Sequence, residues 1–183
     1  MVIWLNGTFG VGKSSVTDEL LAMIPNALLF DPEEVGFLLR RILPNPTGDF
    51  QDLPPWRRLT ITTIAEIHTY TRQTLLVPMT LLNQAYAEEI FAGLEGCGIE
   101  TVHVLLHAAD AALRTRINKH IMFPDDPARD TEVRRWRLDH IDAYEKAFGW
   151  LTTQAYVIDT TSLTPRHVAE RVAKSSLMRR PVV

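Results

Sequence analysis

Short apolar runs alternate with longer stretches of helical spacing along the whole chain. The apolar runs predict strands over residues 2–5, 27–30, 74–77, 101–106 and 155–158. Helical patterns separate them, over 13–23, 33–42, 57–70, 84–94, 109–119, 130–148 and 165–178. In the first helix, Val16, Leu20, Leu21 and Ile24 recur at near-helical spacing. Strands that always have a helix between them favour parallel pairing, because a parallel partner is reached only by a long crossover. The expected fold is α/β: a three-layer, doubly wound, mainly parallel five-stranded sheet forming a single domain over 1–183.

Two segments break this rhythm. Residues 43–55 hold four prolines and a glycine, which resist regular structure and predict a loop. Around residues 123–129, Pro124, Pro127 and the acid pair Asp125-Asp126 separate two helical stretches. In α/β folds, long loops beyond strand ends form pockets and lids. Residues 43–55 are therefore the expected acceptor-side loop, and 120–137 the expected lid segment.

Composition changes this picture little. The chain has 183 residues, 46% hydrophobic and 22% charged, enough for one domain with a real core. A formal charge of −3 gives no basic field, so no nucleic-acid partner is expected. A single cysteine, Cys97, excludes an internal disulfide and fits an intracellular setting. The first residues enter a strand with no basic leader, so no signal peptide is expected. No apolar run approaches the roughly 20 residues that cross a bilayer. The expectation is a cytoplasmic protein of undetermined oligomeric state. Peripheral contact with the inner membrane face is conceivable through the basic C-terminal helix. There Val168, Val172, Leu177 and Met178 form an apolar side, beside Arg166, His167, Arg171, Lys174, Arg179 and Arg180. The alternative is that this apolar side closes the sheet and the cations face water.

The chemistry concentrates behind the first strand. Residues 7–14 read Gly-Thr-Phe-Gly-Val-Gly-Lys-Ser and match GxxxxGK[ST], between a predicted strand and a predicted helix. Gly7, Gly10 and Gly12 permit a tight turn and close approach of the backbone to phosphate. The main chain over Gly7, Thr8, Gly10, Val11, Gly12 and Lys13 then forms an anion nest, aided by the positive end of the following helix. Lys13 would reach the outer phosphates, Ser14 would offer its hydroxyl to Mg²⁺, and Ser15 would touch an inner phosphate. ATP with Mg²⁺ is the expected ligand pair. Guanine specificity is disfavoured, since Asn118-Lys119-His120-Ile121 lacks the aspartate of Asn-Lys-x-Asp and lies inside a helical stretch. The strand Leu75-Leu76-Val77 runs into Pro78-Met79-Thr80 and not into a carboxylate, unlike the large motor-like ATPases. Small kinases, which dock a second substrate and need not activate water, remain.

On the acceptor side, Asp31 ends the second predicted strand. A carboxylate there can accept the proton of a substrate hydroxyl. The same residue reads as a helix cap, with Pro32 at the first helical position. Glu33 and Glu34 follow in the first turn. Arg40, Arg41, Asp52, Trp56 and Arg57 are further candidates for the acceptor pocket, with Trp56 either a pocket wall or a core plug. Arg114 and Arg116 follow the fourth strand, and Arg129, Arg134, Arg135 and Arg137 surround the lid. A lid that lowers guanidinium groups can neutralise the charge of phosphoryl transfer. Arg135 is the candidate catalytic arginine, while Arg134, Arg137 and Ile141 share another side of the same helix. Asp125, Asp126 and Asp130 would latch the lid by pairing with arginines. The turn at 159–164 should approach the adenine edge through backbone groups. The six histidines are scattered and do not read as zinc ligands.

The stretch Ile-Trp-Leu-Asn-Gly-Thr-Phe-Gly-Val-Gly-Lys-Ser, with Phe30-Asp31-Pro32-Glu33-Glu34-Val35-Gly36-Phe37, Pro55-Trp56-Arg57 and Leu76-Val77-Pro78-Met79-Thr80, resembles the bacterial tunicamycin-resistance proteins. The resemblance runs through nearly the whole chain. More distantly the organisation is similar to nucleoside monophosphate kinases and chloramphenicol phosphotransferase. It implies a P-loop kinase-like fold and an ATP-binding protein that protects against tunicamycin, a uracil-containing nucleoside antibiotic with sugars and a fatty acyl chain. By the kinase comparison Lys13 and Ser14 match the phosphate and magnesium positions, and Asp31 the activating carboxylate. Arg114 matches an arginine set against nucleotide phosphates or base. The lid segment lacks a monophosphate-kinase motif, which favours a hydroxyl acceptor over a phosphate.

Three functions are compatible with these features. The first is an ATP-dependent phosphotransferase acting on a hydroxyl of a nucleoside-like or antibiotic molecule. The second is an ATP-gated binding protein that sequesters the antibiotic. The third is a nucleotide-driven switch for a protein partner.

Overall fold

The computed structural model describes residues 1–44 and 48–177. Five strands form one sheet: β1 (Val2–Asn6), β2 (Leu28–Leu29), β3 (Leu75–Pro78), β4 (Thr101–His107) and β5 (Tyr156–Asp159). Their order is β2-β3-β1-β4-β5, and every pairing is parallel. Among the described residues, six α-helices supply the connections and a seventh follows the last strand: α1 (Lys13–Met23), α2 (Glu33–Ile42), α3 (Pro54–Thr71), α4 (Gln84–Gly96), α5 (Asp110–Lys119), α6 (Pro127–Gln154) and α7 (Pro165–Leu177). The expected α/β architecture is thus present, with a wholly parallel sheet. The expected end of the last helix at Met178, with Arg179 and Arg180 beyond it, lies outside the described residues, as do Asn45, Pro46 and Thr47 of the acceptor-side loop.

The central strand explains the layering. All five residues of β1 are buried. Ile3 and Leu5 join Val16 and Leu20 of α1, Leu113 and Ile117 of α5, and Val168 and Val172 of α7. Val2 and Trp4 face the other way, onto Val35 and Leu39 of α2, Trp56 and Ile64 of α3, and Ile90 and Leu94 of α4. Strand alternation therefore sends one apolar run into two cores, the pattern of a parallel strand covered on both faces. Val168, Ala169 and Val172 of α7 are spent on this core, at most 1% exposed. The side chains of Leu177 and Met178, the rest of the expected apolar side, lie outside those described. Arg166 of α7 pairs with Glu19 and Glu170 at 3.4 Å in each case. No helix among the described residues is long and apolar enough to cross a membrane.

The second strand does not lie beside the first. β2 pairs with β3, and β3 separates it from β1. The first crossover skips a position that β3 later fills. Because all strands are parallel, the C-terminal end of β2 still opens on the same edge of the sheet. The chain then continues on the opposite side of β1, with β4 and β5. The exit of β1 is thus a switch point, where doubly wound sheets open a crevice.

Helix boundaries follow local chemistry. α3 begins three residues earlier than predicted because Pro54 and Pro55 occupy its first positions. α6 runs well past both predicted ends. Asp126 caps it by accepting from the Arg129 amide at 3.0 Å, and Leu151 anchors its last turn in the core. The acceptor-side loop contains a 3-10 turn, Phe50–Asp52, capped by Asp49.

Packing of that turn depends on Gly36. A methyl group there would stand 2.4 Å from Cγ of Phe50. Gly36→Ala should gain up to about 1 kcal/mol of helix propensity in α2 and lose about 1–3 kcal/mol by overpacking. We expect the melting temperature to fall by several degrees while Phe50 is displaced. Limited proteolysis should then cut the acceptor-side loop faster than in the unaltered protein.

Candidate functional site

At the switch point, β1 ends in Asn6, which is fully buried. Its carboxamide oxygen accepts from the amides of Gly7 at 2.7 Å and Leu81 at 2.9 Å, and its nitrogen donates to the Leu81 carbonyl at 2.9 Å. This one side chain fixes the start of the glycine loop to the exit of β3. Gly7, Gly10 and Gly12 have φ of 138°, 77° and 101°. A Cβ at Gly7 would meet the Leu106 carbonyl oxygen at 2.5 Å, and one at Gly10 would meet Ile117 at 2.9 Å. At Gly12 there is space, and the left-handed backbone alone requires glycine.

The loop delivers the N-terminus of α1 with no side-chain cap and no acidic residue in its first turn. Its first amides are therefore left for an external anion. Lys13 bends back over the loop. Its Nζ donates to the carbonyls of Gly7 (2.7 Å) and Thr8 (3.2 Å) and to the hydroxyl of Thr80 (2.8 Å). Burial pushes the Lys13 ammonium down to about 7, with Glu33 opposing the shift and Arg137 reinforcing it. Thr8 is 1% exposed, and its hydroxyl has no partner among the described residues.

The loop forms one wall of a cleft of about 1540 Å³. Residues Thr8 to Ser15 line it, as do Asp31, Glu33, Arg40 and Asp52. Asp31 stands beyond the end of β2. One carboxylate oxygen accepts from the Glu33 amide at 2.9 Å, just ahead of α2, and the other takes no part in that bond. Burial, then the neighbouring Asp31 charge, raises the Glu33 carboxyl, while Lys13 pulls it down. Arg40 lies over the Phe50 ring, 4.1 Å from its centroid, and donates to the Gly48 carbonyl. Asp52 accepts from the Tyr86 hydroxyl at 3.2 Å.

Of the expected site residues, Gly7, Glu34, Arg41, Trp56, Arg57, Arg114 and Arg135 stand outside the cleft lining. Trp56 is fully buried in the core under α2, where its indole donates to the Pro32 carbonyl at 2.9 Å. It is the plug and not the wall. Arg57 is occupied by Glu89 at 2.5 Å and by the Gln51 carbonyl. Arg114 is exposed and pairs with Asp110 at 2.9 Å. Arg135 is exposed on α6. For Arg114 and Arg135, an arginine two positions on takes the place. Two residues rotate a helix by about 200°, so the partner faces the opposite way. Arg116 lines the cleft and donates to the carbonyls of Thr160 (2.7 Å) and Thr161 (3.1 Å), joining α5 to the turn after β5. Arg137 lines it from α6, 5.7 Å from the centroid of Phe9 in the glycine loop. The motif had identified the loop; only the helix phase selects Arg116 and Arg137. Thr80, Gln51 and Asn6 were not among the expected site residues, because their roles are hydrogen bonds between distant segments.

The expected lid segment, 120–137, consists of a short connection and the start of α6. Asp130 is 6% exposed and accepts from the amides of Met122 (2.7 Å) and Phe123 (3.2 Å), and it pairs with Arg134. It therefore binds the connection onto α6.

The arrangement fits a triphosphate: uncapped amides, one ammonium and two guanidinium groups line a single wall. It fits Mg²⁺ brought in on phosphates, since Ser14 offers one hydroxyl. No group of three or more His, Cys, Asp or Glu among the described residues could hold a metal unaided.

The Lys13 position has a measurable consequence. A bound triphosphate favours the charged ammonium and so raises its pKa. Above about 7 the free protein must take up a proton to restore that charge, so affinity should fall as pH rises. Calorimetry in buffers of different ionisation enthalpy should find about half a proton taken up per ATP near pH 7 and about one near pH 8.5.

No family model matches the chain, and no curated protein is detectably similar to it. Solved structures are similar over nearly its full length. The tunicamycin resistance protein of Deinococcus radiodurans is 26% identical, with a TM-score of 0.70, covering 98% of both chains. A gluconokinase from Sinorhizobium meliloti is 16% identical with a TM-score of 0.62, covering 96% of this chain and 92% of its own. A shikimate kinase from Bacteroides thetaiotaomicron is 17% identical with a TM-score of 0.54, covering 96% of each chain. The chain therefore has the fold of the P-loop kinases, and its resemblance to the tunicamycin-resistance proteins extends through the whole domain.

Proposed function

We propose that the protein is an ATP-dependent phosphotransferase acting on a hydroxyl of a nucleoside-like or antibiotic small molecule. The similar protein from D. radiodurans makes tunicamycin the first acceptor to test. The observation that carries this reading is the meeting, in one cleft, of the Lys13 loop with the Asp31 and Glu33 carboxylates. A phosphate-binding wall faces a proton-accepting wall, and the space between them holds a second substrate.

In this reading the loop amides and Lys13 hold the outer phosphates of ATP. Mg²⁺, when bound with the nucleotide, offsets phosphate charge, and Ser14 contributes one ligand to it. The free oxygen of Asp31 takes the proton of the acceptor hydroxyl. The acceptor oxygen then bonds to the γ-phosphorus as the bond to the β–γ bridging oxygen breaks, and ADP leaves. Arg116 and Arg137 offset the charge on the phosphates, and α6 helps exclude water.

The test is a mass measurement of tunicamycin and common nucleosides after incubation with protein, ATP and Mg²⁺. One of them should gain a single phosphate. Ligands that bind but return unchanged would overturn transfer and favour sequestration. Nucleotide-dependent capture of a protein, without a small acceptor, would favour the switch.

A further inference from the structure

Thr80, just past β3, is bonded to two parts of the cleft at once. On the phosphate side, its hydroxyl donates to the Gly7 carbonyl at 2.7 Å and accepts from Lys13 Nζ at 2.8 Å. The same Gly7 carbonyl also accepts from Lys13 at 2.7 Å, so Lys13, Thr80 and Gly7 close a ring of hydrogen bonds. A threonine hydroxyl has one proton, and Gly7 takes it. That commitment turns the remaining lone pairs toward the ammonium. On the acceptor side, the Thr80 carbonyl accepts from the Gln51 carboxamide at 3.0 Å. Gln51 belongs to the 3-10 turn of the acceptor-side loop. Its own carbonyl is held by Arg57, which Glu89 fixes in turn.

An ammonium has three N–H donors, and those of Lys13 are all engaged: Gly7, Thr8 and Thr80. To meet a phosphate, Lys13 must release one of them. Thr80 is the partner that lies outside the glycine loop, and it is the one linked to the acceptor side. We propose that Thr80 is a positioning residue that couples the seating of the acceptor-side loop to the aim of the Lys13 ammonium. The proposal deepens the phosphotransferase reading and rests on its nucleotide site. When Gln51 grips the Thr80 carbonyl, the hydroxyl is held where Lys13 is steered between loop and phosphate. When that grip is lost, the steering is lost with it. The acceptor loop thereby acts on the nucleotide without touching it.

The test is a double-mutant cycle on Mg·ATP affinity, measured by calorimetry without acceptor. Gln51→Ala should weaken ATP about threefold when Thr80 is present, the effect of one hydrogen bond. In a Thr80→Val background the same change should alter affinity by less than about 1.5-fold, because the link is already broken. Thr80→Val alone should weaken ATP about tenfold, and Thr80→Ser should restore it to within about twofold. If the valine variant does not fold, Thr80→Ala takes its place in the cycle. A merely structural threonine would lower the melting temperature without making the effect of Gln51 depend on it. Equal effects of Gln51→Ala in both backgrounds, or none in either, overturn the proposal alone. Failure of the unaltered protein to bind Mg·ATP overturns both the proposal and the reading beneath it.

Discussion

Lys13→Ala is expected to weaken Mg·ATP binding about a hundredfold, the scale of one or two charge-assisted hydrogen bonds lost from a phosphate. Three features set this size. The ammonium lies against the loop carbonyls at 2.7 and 3.2 Å, where no other side chain of the loop carries charge. Its surroundings are desolvated, which strengthens any contact with an anion. The uncapped amides of α1 remain in the variant, so binding is weakened and not erased. The proton uptake expected above pH 7 should vanish with the side chain. Calorimetry at pH 7 and 8.5 measures both effects. An affinity within threefold of the unaltered protein would mean that Lys13 does not hold the nucleotide.

Asp31→Asn should leave ATP affinity within about threefold and lower turnover about a thousandfold, the range of a lost general base. The substitution isolates chemistry from folding. Asparagine keeps a side-chain oxygen acceptor in the same place, so the bond to the Glu33 amide can persist. The charge does not persist, and the proton acceptor is lost. Asp31 is also one cause of the raised Glu33 carboxyl, so Glu33 should move back toward its ordinary value in the variant. Steady-state kinetics with the acceptor found by mass measurement, together with carboxyl titration by NMR, check the two halves. Retained turnover with a shifted Glu33 would move the base role to Glu33.

Much of this site is legible in the chain. The spacing of Gly7, Gly10, Gly12, Lys13 and Ser14 dictates a loop with positive-φ glycines before a helix, and the structure builds it. The apolar runs fix five strands, and the helices between them require parallel crossovers. Asp31 is placed by local grammar alone, after a strand and before Pro32. Each of these depends on neighbours within a few residues.

What failed to read out depends on phase and on distant contact. Arg114 and Arg116 are equally basic and two positions apart; only packing of α5 decides that Arg116 faces the cleft. The same holds for Arg135 and Arg137 on α6. Trp56 suits a pocket or a core, and the α2–α3 contact puts it in the core. Thr80 reads only as the end of the run after β3, because its importance comes from Gly7, Lys13 and Gln51 meeting it across the sheet edge.

By itself, then, the sequence determined the elements, their parallel pairing and the phosphate loop, since hydrophobic period and glycine conformation act over short spans. The tertiary structure decided strand order, which arginines enter the cleft and which hydroxyl meets Lys13. A helix turns by about 100° per residue, and hydrogen bonds between segments form only after the sheet has brought them together.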